Sequence, residues 1–99
     1  NFTPRLQQLT NAFKSAWIAS CPDFQDKVNY GQTHATKANP SVATNWMAQA
    51  FDCLSFTIEM PFKDNADLPD PLTGWSGERA KQFGAGVLQP VLAVVGELR

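Results

Sequence analysis

The chain has 99 residues, of which 43% are hydrophobic and 17% are charged, a composition typical of a folded chain, and residues 1–99 are long enough for one small domain at most. Eight lysines and arginines against nine acidic residues give a formal net charge of -1, which argues against nucleic acid or an anionic membrane as a partner. No apolar stretch approaches the roughly 20 residues that cross a bilayer, so we expect a soluble chain.

The cysteines bear on the cellular location of the protein, and the first residue bears on whether the chain is a segment of a longer one. Cys21 and Cys53 could form one disulfide, but nothing else is typical of a disulfide-rich secreted domain. We therefore expect reduced thiols and a cytoplasmic location. Because the chain begins with Asn1 and its first helical pattern starts almost at once, we also expect a segment of a longer protein.

The first part of the chain predicts one helix followed by a long loop. Thr3 and Pro4 form a helix start, because a Thr side chain caps free N–H groups and Pro suits the first helical position. Apolar residues at helical spacing then continue to about Ser20. Residues 22–40 show no sustained period, and loops longer than about 12–15 residues are usually functional or mobile. This loop is a candidate wall of a site.

The remaining residues predict a short helix, a strand and a last helix. Ser41 is placed to cap a helix that runs to Phe51. Residues 53–60 alternate between apolar and polar side chains, which is typical of a β-strand. Ser76 can cap the last helix, and Pro90 should kink or divide it.

These elements predict an α/β fold with three helices and at least one core strand. A single strand cannot hydrogen-bond its own ladder, so its partners must lie in another segment or another chain. Glu59 lies near the carboxyl end of this strand, where open α/β sheets place ligands, although an edge or salt-bridging glutamate is the alternative. His34 is the only histidine, which excludes a two-histidine metal centre built from this chain alone.

Residues 38–62, ANPSVATNWMAQAFDCLSFTIEMPF, with the Lys-Asp pair and the Gly-Trp-Ser triplet that follow them, resemble a known family. The family is the zinc metallocarboxypeptidases, and the likeness is to the C-terminal part of their catalytic domain, especially in bacterial members of the cytosolic branch. A strand ending Phe-Thr-x-Glu carries the family's general base, with a Trp thirteen positions earlier; Glu59 and Trp46 match them (59 − 46 = 13). The resemblance implies the C-terminal fragment of an open mixed-sheet domain.

The resemblance also implies a function and site residues. It implies a zinc-dependent enzyme that hydrolyses the C-terminal amino acid from peptides or protein tails, with Glu59 as the base. Thr44 falls on a position that shapes the side-chain pocket, and its small polar side chain disfavours removal of basic residues. Lys37 stands where the family has a mobile tyrosine, so Tyr30 could act only in a differently built loop, and Lys37 could instead meet a substrate carboxylate.

No metal ligand is assigned within the chain. The zinc ligands and the arginines that hold the substrate carboxylate in this family lie in earlier segments, so we expect the 99 residues alone to be inactive.

Two other interpretations stay open. The chain could be a small α/β interaction module whose strand joins the edge of a partner's sheet, or a carboxypeptidase-like domain that binds without cleaving. Exposed strand edges could also pair two copies into a homodimer. A His-x-x-Glu pair and a later histidine in the upstream sequence would favour the enzyme.

Overall fold

The structure is a computed structural model that describes residues 3–27 and 39–98. The regular structure of this part is helical: α1 is Pro4–Ser20, α2 is Ala43–Phe51, α3 is Gly77–Gly86 and α4 is Leu88–Val94. A 3-10 turn, Val95–Glu97, follows α4. The residues between α2 and α3 form turns and irregular backbone.

The start of α1 is as predicted. The Thr3 hydroxyl accepts a hydrogen bond from the backbone N–H of Leu6 at 3.2 Å, and Pro4 occupies the first helical position. This bond satisfies one of the N–H groups that a helix start leaves free. One face of α1, formed by Leu6, Leu9, Phe13 and Trp17, is buried.

Aromatic side chains form the centre of the core around α1. Trp17 stacks on Phe24, with ring centroids 4.3 Å apart and planes 6° from parallel, and lies 5.2 Å from the Phe83 ring. Phe13 stacks on Phe56 at 5.0 Å. Because Phe83 lies on α3 and α1 also packs against α4, the core joins both ends of the chain.

The last helical stretch is divided, as Pro90 predicts. The Ser76 hydroxyl accepts a hydrogen bond from the backbone N–H of Arg79 at 3.1 Å and caps α3, which confirms the cap predicted at Ser76. The break falls at Val87, whose N–H bonds to the Gly84 carbonyl in a tighter turn. Pro90 lacks an N–H and its ring crowds the carbonyl of Gly86, so the break precedes the proline.

The cap predicted for α2 is wrong. The N-cap of α2 is Val42, whose apolar side chain cannot accept a hydrogen bond. Ser41 lies one residue earlier, in a local turn in which the Asn39 side chain accepts the N–H of Ser41 at 2.9 Å. The helix ends at Asp52, whose backbone is left-handed, with φ 47° and ψ 49°. Arg5 donates to the Asp52 carbonyl at 3.2 Å and pairs with its carboxylate at 3.5 Å, which holds this turn against α1.

The predicted α/β fold with a core strand is wrong for residues 3–27 and 39–98, which are helical and contain no strand. Residues 53–60 carry the alternating pattern, but no described segment lies beside them to complete a ladder. The apolar positions of the pattern are covered only in its first half: Leu54 and Phe56 pack against the core, whereas Ile58 and Met60 are exposed. The described residues therefore offer no strand edge through which an interaction module or a homodimer could pair.

The helices leave apolar surface exposed. Pro90 and Val94 of α4 are buried, while its opposite face, formed by Leu88, Val91, Leu92 and Val95, is exposed, with Leu88 at 67% and Leu92 at 69%. We call this the α4 apolar face. Single exposed apolar residues are ordinary, but contiguous apolar patches of this kind mark contact surfaces.

Candidate functional site

Glu59 lies in the middle of an exposed run, residues 57–63, that connects two anchored points. On one side Phe56 is stacked on Phe13 in the core. On the other side Asp64 is held by hydrogen bonds. The Glu59 carboxylate is exposed, and no described residue hydrogen-bonds to it or pairs with it. A carboxylate so placed is open to solvent and to a ligand.

Thr44 and Trp46 lie on α2. Thr44 is half-buried in the first turn, and no hydrogen bond joins it to Glu59 among the described residues. Trp46 is 52% exposed and meets the Phe51 ring edge-on at 5.8 Å. Glu59, Thr44 and Trp46 are thus at least partly exposed, but no hydrogen bond among the described residues joins them. Tyr30 and Lys37, like His34, lie outside the described residues.

A half-buried arginine, which the sequence interpretation missed, holds three parts of the chain together. Arg79 donates from Nε to Asp23 Oδ2 at 3.0 Å and from Nη2 to Asp23 Oδ1 at 2.6 Å, a two-point contact. Its Nη1 donates to Asp64 Oδ1 at 3.2 Å, and its Nη2 also donates to the Leu68 carbonyl. The Trp75 ring lies 5.4 Å from the guanidinium carbon. We call Arg79, Asp23 and Asp64 the Arg79 cluster.

The Arg79 cluster is partly buried, and its one guanidinium is shared by two carboxylates. The side chains of Arg79 and Asp23 are 14% and 16% exposed, so water screens this pair less than it would an exposed one. Hydrogen bonds from Arg79 lower the pKa of Asp23 below its usual value of 3.8 although burial opposes the shift, and the same bonds raise the pKa of Arg79.

The loop of residues 64–73, which precedes α3, is held by hydrogen bonds between its aspartate side chains and its own backbone and Thr73 hydroxyl. Asp64 Oδ2 accepts the N–H of Asp70 at 2.6 Å. Asp70 in turn accepts from the Thr73 hydroxyl at 2.6 Å and from the N–H groups of Leu72 and Thr73, which lowers the pKa of Asp70. These carboxylate oxygens are committed to hydrogen bonds within the loop.

The described residues do not form a metal centre. Within residues 3–27 and 39–98 no three His, Cys, Asp or Glu side chains lie close enough together to hold a metal ion. Cys21 and Cys53 are both free thiols. In the same ranges no helix is both long enough and apolar enough to cross a membrane.

Known proteins similar to the chain include metallo-carboxypeptidases. A metallo-carboxypeptidase from Pseudomonas aeruginosa, solved in complex with (2-guanidinoethylmercapto)succinic acid, is 45% identical with a TM-score of 0.89, over 99% of this chain and 26% of its own. A metallo-carboxypeptidase from Burkholderia cenocepacia is 39% identical with a TM-score of 0.86, over 98% and 26%. An uncharacterised protein of Zymomonas mobilis is 42% identical over 91 residues, 92% of this chain and 24% of its own.

These matches confirm the resemblance that the sequence indicates. No family model matches the chain. At 39–45% identity and TM-scores of 0.86–0.89, the chain is similar in sequence and in backbone structure to part of these two metallo-carboxypeptidases. It spans about a quarter of the length of these relatives.

Proposed function

We propose that the chain forms the C-terminal part of a zinc metallocarboxypeptidase catalytic domain that removes the C-terminal amino acid from peptides or protein tails. The observation that carries this proposal is the match, at 45% identity over 99% of the chain, to a metallo-carboxypeptidase. The exposed α4 apolar face supports it, because a surface of that kind favours contact with further polypeptide. Such a protein would act in the cytoplasm.

Glu59 is the proposed general base. Its exposed carboxylate takes a proton from the water whose oxygen attacks the scissile carbonyl carbon. When the carbon–nitrogen bond breaks, Glu59 returns that proton to the leaving amine, so the carboxylate is regenerated in each cycle. Its position within an exposed run, three residues after an anchored aromatic side chain, favours access of substrate (59 − 56 = 3).

The other site roles are assigned from the resemblance. Thr44 would border the pocket for the C-terminal side chain, and its half-buried, uncharged side chain fits a pocket that does not select basic residues. Tyr30 or Lys37 would approach the substrate from the loop between α1 and α2. Zinc would be held by residues outside the described part, because that part offers no ligand set.

The test is Glu59→Gln in the complete polypeptide that carries this segment. Release of the C-terminal residue from a set of peptides is followed by mass spectrometry, and zinc is measured by elemental analysis. We expect kcat to fall about 10²- to 10⁴-fold, the range for loss of a general base, with zinc content unchanged. Glu78→Gln, which alters an exposed carboxylate in the first turn of α3, is the matched control. Full activity of Glu59→Gln, or no peptide hydrolysis and no zinc in the unaltered protein, would contradict the proposal.

A further inference from the structure

We draw no further inference here: the strongest candidate, the α4 apolar face, belongs to a chain that spans about a quarter of the length of its relatives, and nothing in the structure shows what covers it.

Discussion

Gly86 is the residue whose replacement most directly tests the packing of α1 against the end of α3. A Cβ atom built at Gly86 would lie 3.3 Å from both Cβ and Sγ of Cys21, and 3.5 Å from Nε1 of Trp17. Cys21 and Trp17 are 6% and 2% exposed, so neither can move aside without disturbing the core. The close approach of the Gly86 backbone to the side chains of Cys21 and Trp17, rather than an unusual dihedral angle, therefore explains the glycine.

The expected effect of Gly86→Ala combines two opposing contributions. Alanine in a helix is favoured over glycine by up to about 1 kcal/mol, whereas overpacking a core costs about 1–3 kcal/mol. Gly84→Ala is the matched control within the same helix, because a Cβ there meets nothing within 4 Å. We expect Gly86→Ala to lower the free energy of unfolding by about 1–2 kcal/mol and Gly84→Ala to raise it by about 0.5–1 kcal/mol.

The measurement is thermal and urea unfolding followed by far-UV circular dichroism. A difference of about 2 kcal/mol between the two variants corresponds to roughly 8–16 °C in Tm for a cooperative unit of about 60–100 residues. Cys21→Ala removes the sulfur that the new methyl group would meet, so the double variant with Gly86→Ala should recover part of the loss. Equal or greater stability of Gly86→Ala, or equal losses in both glycine variants, would refute the close approach.

Two further expectations concern a helix cap and acid stability. Ser76→Ala should lower the free energy of unfolding, measured in urea titrations, by about 1 kcal/mol, because the Ser76 hydroxyl accepts the Arg79 N–H. Ser41→Ala should be nearly neutral, because the Ser41 side chain caps no helix. The pKa values of Asp23 and Asp70 are lowered in the folded protein, so the stability they contribute is present above their usual 3.8 and is lost as the pH falls through the lowered values. Asp23→Asn should flatten that acid dependence in unfolding curves taken between neutral and strongly acidic pH, and an unchanged curve would contradict the role of the ion pair.

Features specified by neighbouring residues could be predicted from the sequence. The caps at Thr3 and Ser76 depend on a hydroxyl and an N–H three residues later, and the division before Pro90 depends on the missing N–H of one residue. The prediction of a cap at Ser41 is wrong although it too depends only on neighbouring residues, because the Asn39 side chain forms a competing turn with the N–H of Ser41.

Features that depend on distant partners could not be predicted. Alternation in residues 53–60 indicated a strand, but a strand requires a neighbour, and the described residues supply none. The Arg79 cluster joins positions 56 residues apart in the chain, and no local pattern marks such a pair. Glu59 could be singled out from a motif, whereas the role of Arg79 in joining Asp23 and Asp64 became visible only from the contacts.

The packing of α1 against α4 also sets an order of events during synthesis. Val94 is made 77 residues after Trp17 (94 − 17 = 77), which at about 5–20 residues per second corresponds to roughly 4–15 s. Throughout that interval α1 lacks the packing of α4, so the nascent helix presents an apolar stripe to solvent, formed by Leu6, Leu9, Phe13 and Trp17. A stripe of this kind is a natural binding site for chaperones, and slower translation of the residues that follow would prolong its exposure.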